Sequence, residues 1–110
     1  MFQPDKDLSV GEAAAVRPRL WEFADAIRRG CKLFPKQCRG ALYRGIDAAC
    51  ALGAARAVGF DENRHEHATA ILGCPIETCG TDWFVHDMVT HLNDSHHWTR
   101  ERIADWLETL

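Results

Sequence analysis

The chain has 110 residues, of which 46% are apolar and 26% are charged, and its formal net charge is −3. This length predicts a single domain over 1–110 with a modest core, which buries about 60 to 70% of the surface of the unfolded chain. No segment approaches the roughly 18 apolar residues of a membrane helix, and residues 1–7 lack the apolar run of a signal peptide. We therefore expect a soluble, cytoplasmic protein that has no membrane partner.

The charges are divided unevenly along the chain. Residues 17–44 contain eight Arg or Lys against two acidic residues, whereas residues 61–110 contain ten acidic residues against three Arg. Such a division has two interpretations: the two halves attract each other within one fold, or one face is offered to a partner. The first interpretation needs no partner, and we favour it.

The N-terminal half reads as helical. Residues 1–8 predict a flexible arm, and Ser9 begins a capping-box pattern for a short helix over 9–16. Pro18 suits the first position of a second helix, which carries an apolar stripe and has Gly30 close to its end. The stripe consists of Leu20, Phe23, Ala24, Ile27 and Cys31.

Residues 33–47 are interrupted by proline and glycine and predict a loop or a helical turn. The side chains expected to anchor this segment to the core are those of Phe34, Leu42, Tyr43 and Ile46. Cys38 could be a metal ligand, a reactive thiol or a structural thiol, and the last is the interpretation that we favour. Small residues over 48–58 predict a central buried helix, which contains Cys50 and is closed by Gly59.

Residues 62–72 predict a further helix that Asp61 can cap, and the helical part thus spans 9–72. His65 and His67 lie within it, but residues two apart on a helix differ by about 200° and cannot share an ion. By the same geometry, five positions place His86 about 140° away from His91. We therefore exclude His65, His67 and His86 from any metal site.

The segment from 73 to 110 is expected to be helical and stapled by zinc. Four residues separate Cys74 from Cys79, eleven separate Cys79 from His91, and four separate His91 from His96. This is close to the spacing of a Cys2His2 zinc finger. Gly80 would allow a tight knuckle after Cys79. His97 would also satisfy the spacing of the second histidine.

The remaining elements place these ligands. A short helix from Asp82 carries His91 on its last turn, and Asn93 can adopt a left-handed conformation that returns the chain to His96. Thr99 caps a last helix whose first turn contains Glu101. The fold class predicted is mainly α, a small helical domain with a Cys2His2-type knuckle near the C-terminus and room for a short β-hairpin.

Part of this segment resembles a known family. The run of residues 91–106, HLNDSHHWTRERIADW, is similar to the C-terminal signature of small phage and prophage proteins of unknown function. Members of that family also carry an upstream Cys-Pro pair and an apolar Cys-Ala-Leu-Gly-Ala-Ala segment, which Cys74-Pro75 and residues 50–55 match. The resemblance implies a phage-encoded protein in the bacterial cytoplasm and favours His96 over His97, but it implies no activity. This knuckle is two residues longer than the usual Cys-Pro-x-Cys.

Two functions follow as hypotheses. Two cysteines and two histidines fill a tetrahedron, so the zinc is expected to be structural, with no catalytic residues and no other cofactor. The favoured hypothesis is therefore not an enzyme but a phage accessory protein that binds a host or phage protein and inhibits or remodels a host process. The alternative is a nucleic-acid-binding zinc-finger regulator that uses the basic residues of 17–44.

Overall fold

The computed structural model describes residues 20–62 and 70–110. The arm expected over 1–8, the helix over 9–16, and both His65 and His67 lie outside these residues. The described residues form four helices and five short strands. In chain order these are α1 (20–33), β1 (Lys36–Gln37), β2 (Tyr43–Arg44), β3 (Ala48–Ala49), α2 (Ala51–Ala57), β4 (Ile71–Gly73), β5 (Asp82–Phe84), α3 (Val85–Asp94) and α4 (Arg100–Thr109).

Helix α1 has the apolar stripe that its periodicity predicts, and the large side chains of the stripe are buried. Gly30 lies in the last turn of α1 and has a packing role. A Cβ atom built on Gly30 would lie 1.9 Å from the backbone oxygen of Ala54 in α2. The two helices can therefore approach each other closely only because position 30 has no side chain.

A three-stranded sheet connects α1 to α2, in the order β1-β3-β2. The central strand β3 pairs in parallel with β1 and antiparallel with β2. The helix predicted from residue 48 therefore begins only at Ala51, because Ala48 and Ala49 form backbone hydrogen bonds with strands β1 and β2. Cys50 is the N-cap, and its sulfur accepts a hydrogen bond from Gly53 N at 3.3 Å. Cys50 is buried, as predicted.

The loop around this sheet is anchored by fewer residues than the sequence suggested. The rings of Phe34 and Tyr43 lie 5.3 Å apart, and the Tyr43 hydroxyl donates to Gly53 O. Ile46 is 95% exposed, so its prediction as an anchor was wrong. It follows Gly45, whose φ of 66° makes the turn between β2 and β3. Cys38 is buried, and its thiol donates to Ala41 O, as expected of a structural thiol.

Strands β4 and β5 form an antiparallel hairpin, which the sequence allowed for. Ile71 pairs with Phe84, and Leu72 pairs with Trp83. The helix predicted over 62–72 therefore does not extend to Leu72. The helix predicted from Asp82 likewise begins only at Val85, because residues 82–84 form strand β5 and pair with β4 in the hairpin.

The last two helices pack on the first two. The buried stripe of α3 consists of Val85, Met88, Val89 and Leu92, and that of α4 includes Ile103 and Leu107. These side chains join those of α1 and α2 in one hydrophobic cluster. Thr99 caps α4 as predicted, since its side chain accepts from Arg102 N at 3.1 Å. No helix in the described ranges is long and apolar enough to cross a membrane.

Ion pairs connect the basic and acidic halves of the chain. The Arg28 guanidinium on α1 contacts Glu101, Asp105 and Glu108, which lie on one side of α4. The neighbouring carboxylates outweigh the effect of burial and raise the pKa of Arg28 above its ordinary value. Intramolecular attraction therefore accounts for part of the uneven charge distribution.

Candidate metal centre

Two hydrogen bonds shape the loop between β4 and β5. Cys74 N donates to Thr81 O at 2.8 Å and continues the hairpin by one step, while Cys79 N donates to Ile76 O at 3.0 Å and forms a tight turn. Gly80 has a φ of 65°, a conformation that favours glycine. The loop thereby brings the sulfur atoms of Cys74 and Cys79 to the same end of the hairpin.

The two histidines come from the end of α3. His91 lies in the last turn of this helix, and His96 follows the helix end at Ser95. His96 N donates to His91 O, and Trp98 N donates to Leu92 O at 3.0 Å, so that the chain folds back over the helix end. The left-handed residue is His97, with a φ of 56°, and not Asn93 as predicted.

Asn93 remains helical because its side chain is held in the core. Its Oδ1 accepts hydrogen bonds from Gln37 Nε2 at 2.8 Å and from Ala51 N at 3.1 Å, and its Nδ2 donates to Cys38 O at 2.9 Å. A buried amide with these partners is satisfied and holds α3 against α2 and the sheet. The network thereby fixes the end of the helix that carries His91.

The side chains of Cys74, Cys79, His91 and His96 converge, and their ligand atoms all lie within 4.8 Å of one another. Cys74 Sγ lies 3.5 Å from His96 Nε2, and Cys79 Sγ lies 3.4 Å from His91 Nε2. The two Nε2 atoms are 3.1 Å apart. A tetrahedral zinc ion with ordinary bond lengths would separate sulfur from nitrogen by about 3.5 Å and the two nitrogens by about 3.3 Å.

The electrostatics of the four groups suit a cation. The pKa of the Cys79 thiol is lowered to about 6, because the Thr81 hydroxyl lies 3.2 Å from its sulfur and both His96 and His91 are close. Burial raises the pKa of the Cys74 thiol. A bound cation favours the thiolate form of both sulfurs, and Cys79 gives up its proton more readily than Cys74.

The remaining candidate ligands lie elsewhere. His86 is not part of the cluster: its ring stacks on Phe84, and its Nδ1 is buried without a hydrogen-bond partner among the described residues. His97 is exposed and also lies outside the cluster. Cys31, Cys38 and Cys50 are free thiols that take no part in it.

Four protein ligands at these distances would complete a tetrahedron around an ion. A catalytic zinc site keeps one position open for water or substrate, whereas a structural site is closed by its protein ligands. The described residues of the cluster therefore suit an ion that fastens the hairpin to α3. Such an ion would hold two parts of the chain together.

Sequence reasoning missed Thr81 beside this cluster and Arg100 at the start of α4. Thr81 carried a weak signal, since a hydroxyl two residues after a ligand cysteine can reach its sulfur. Arg100 carried none, because buried arginines are rare. Its guanidinium donates to the backbone oxygens of Phe34, Pro35 and Ala49, and so holds the start of α4 against the sheet.

Substitution of single histidines distinguishes the ligands from their neighbours. We expect His96→Ala to lose most of the bound metal, whereas His86→Ala and His97→Ala retain about one ion per chain, because of these three histidines only His96 lies within the cluster. Elemental analysis of the protein purified without chelator measures this ratio. Loss of metal in His97→Ala, with the metal retained in His96→Ala, would show that the other imidazole is the ligand.

The contact between Thr81 and Cys79 predicts a pH dependence. Without the hydroxyl, the pKa of Cys79 rises, so protons compete for the sulfur at a higher pH. We expect Thr81→Val to release metal at a higher pH than the parent protein during acidification, as followed with a chromogenic zinc indicator. Thr90→Val is the matched control, because the Thr90 hydroxyl donates a hydrogen bond to His86 O and not to a cysteine sulfur. Equal release midpoints in all three proteins would contradict the role of Thr81.

Comparison with known proteins adds no family to these observations. No family model, no curated protein and no solved structure matches the chain.

Proposed function

We propose that this chain is a small, mainly α-helical protein with a Cys2His2 zinc knuckle, and that it acts by binding another protein. The observation that carries the proposal is the convergence of Cys74, Cys79, His91 and His96, whose ligand atoms lie within 4.8 Å of one another. Thiolate and imidazole together favour zinc over the hard cations magnesium and calcium. The four ligands fill the coordination shell, which makes the zinc a structural ion.

A binding role is proposed because the site has no place for a substrate at the metal. The sequence from His91 to Trp106 resembles small phage and prophage proteins, so the proposed partner is a host or phage protein in the bacterial cytoplasm. Small chains of this kind can inhibit or remodel a host process by covering a surface of their target. The proposal therefore assigns no catalytic residues.

Nucleic-acid binding through the basic stretch is the weaker alternative, since many of its cations already have partners in this chain. Arg28 is paired with α4, Arg29 with Asp25, and Lys36 with Asp47. Arg39 donates to the backbone oxygens of Asn93 and His97. Cations that are engaged in this way are less available to phosphates.

The test of the proposed function is affinity capture with the zinc-loaded chain. The chain is exposed to extracts of bacteria with and without phage infection, and both extracts are treated with nuclease. We expect a protein to be retained in stoichiometric amount and to bind the chain again after both have been purified. Retention that disappears on nuclease treatment, together with a salt-dependent shift of DNA or RNA, would instead support the nucleic-acid alternative.

A further inference from the structure

The outer face of α3 forms one side of a groove next to the metal cluster. The groove has a volume of about 300 Å³ and is lined by Trp83, Asp87, Thr90, His91, Asp94 and Ser95. Positions 87, 90, 91 and 94 are spaced so that they lie on one face of a helix. Trp83 comes from β5, and its ring lies 6.3 Å from that of His91. The groove thus joins the hairpin to the helix.

The charged groups of this groove are both acidic. Asp87 and Asp94 are seven residues apart on α3, which places them on the same side at a separation of about 10 Å along the axis. Among the described residues, neither carboxylate is paired with an Arg or Lys. Asp87 lies 3.6 Å from His86 Nε2, and Asp94 accepts a hydrogen bond from Asn93 Nδ2.

The proposed zinc ion would leave this charge in place. Two thiolates balance the two charges of zinc, and the imidazoles bind it as neutral groups. A zinc-loaded cluster therefore adds no net charge to the floor of the groove. The two carboxylates would continue to face a ligand as a net charge of about −2 at neutral pH.

Trp83 supplies an apolar wall to the same groove. Its side chain is 44% exposed, although it is one of the largest apolar groups in the chain. The face of an indole ring attracts a guanidinium or an ammonium group, and the same ring packs on the methylene stem of Arg or Lys. An exposed tryptophan that lines the same groove as two carboxylates is thus complementary to a cationic side chain.

We propose that this groove binds a basic segment of a partner protein, with an Arg or Lys side chain against Trp83 and the carboxylates of Asp87 and Asp94. The proposal rests on the proposed function as a protein-binding module and assigns it a surface. The two carboxylates are separated by about 10 Å along the helix axis, a distance that two long cationic side chains of one peptide segment can span. A nucleic acid would be repelled by the same carboxylates.

The test uses the full, zinc-loaded chain and a defined peptide. Acetyl-Arg-Gly-Gly-Arg-amide is added to the ¹⁵N-labelled protein, and the indole N–H of Trp83 and the amides of residues 87–95 are followed by NMR. We expect these signals to shift and to saturate. A peptide with citrulline in place of both arginines has nearly the same shape without the charge, and we expect it to bind at least about fivefold more weakly.

Two double variants with the same net charge distinguish binding in the groove from general electrostatic attraction between the peptide and the protein. Asp87→Asn with Asp94→Asn removes both groove carboxylates, whereas Asp25→Asn with Asp105→Asn removes two from α1 and α4. We expect the first pair to weaken peptide binding by about fivefold or more and the second to change it by less than about twofold. Equal weakening in both pairs, or equal binding of the citrulline peptide, would overturn the proposal. Saturable shifts of the same signals by a single-stranded oligonucleotide would also overturn it.

Zinc content is measured in every sample, which keeps the two proposals apart. A chain without zinc contradicts the proposed knuckle, whatever the peptide does. A chain that holds zinc and leaves Trp83 unshifted by the arginine peptide contradicts the groove alone.

Discussion

We expect Cys79→Ser to lose its zinc and to unfold at a much lower temperature than the parent protein. Structural zinc contributes on the order of 10 kcal/mol in isolated finger peptides, which rivals the entire stability of a small domain. A loss of even a third of that value would lower the Tm by about 15 °C, since 1 kcal/mol corresponds to about 4 to 8 °C at this size. Circular dichroism during heating measures the change.

The structure predicts which part of the Cys79→Ser protein loosens first. Without the ion, the loop between β4 and β5 is no longer fastened to the end of α3, and the turn through His96 loses its anchor. Trp98 follows this turn and is only 8% exposed, whereas Trp21 and Trp83 are already about half exposed. We therefore expect tryptophan emission to shift to the red while much of the helical signal remains, because α1, α2 and α4 still share one cluster.

Cys31→Ser is the matched control for this experiment. Cys31 lies on α1, is also a partly buried free thiol, and takes no part in the metal cluster. We expect it to retain zinc and to melt close to the parent. A strong chelator added to the parent protein should reproduce the effect of Cys79→Ser. Melting of Cys79→Ser at the parent temperature would show that zinc is not a structural staple, and a functional role for the ion would then have to be considered.

The second large effect is expected from Gly30→Ala. The new methyl group would lie 1.9 Å from Ala54 O and 2.3 Å from Ala54 C, and these are backbone atoms that no change of rotamer can move. Overpacking in a core costs about 1 to 3 kcal/mol and sometimes more. Alanine is the better helix former by only about 1 kcal/mol, which does not offset a contact this short. We expect a net loss of about 2 kcal/mol or more in the free energy of unfolding, as measured by urea denaturation.

Gly73→Ala provides the comparison for this substitution. Among the residues that the structure describes, a Cβ atom at position 73 would meet only the side-chain oxygen of Asp82, at 3.3 Å, and that side chain can move. We expect it to change the free energy of unfolding by less than about 1 kcal/mol. If both variants denatured at the same urea concentration, the close approach of α1 and α2 would not be important for stability.

Much of the helical structure could be predicted from the sequence, because a helix leaves a local signal. The stripes of α1, α3 and α4 follow the helical period, and Thr99 is a recognisable cap. The four residues of the metal cluster could also be predicted, since the spacing of two cysteines and two histidines is itself a chemical pattern. His96 was separated from His97 only by the family resemblance, and the structure places His96 in the cluster.

Apart from the short hairpin that the sequence allowed for, the strands could not be predicted, because each is only two or three residues long and is defined by its partner. Nothing within Ala48–Ala49 distinguishes a strand from the first turn of a helix, and the difference arises from backbone bonds to β1 and β2. Asn93 and Arg100 look like surface residues for the same reason. Their burial is possible only because distant parts of the chain supply their hydrogen-bond partners.

The positions of the metal ligands along the chain have a consequence for the order in which the protein folds. Cys74 and His96 are 22 positions apart, whereas the contacts between Arg28 and α4 join residues up to 80 positions apart. The entropy lost on closing a loop grows with its length, and contacts between distant residues form late. We therefore expect the hairpin and α3 to assemble first around the ion and α1 to dock on them afterwards, so that zinc accelerates folding as well as opposing unfolding.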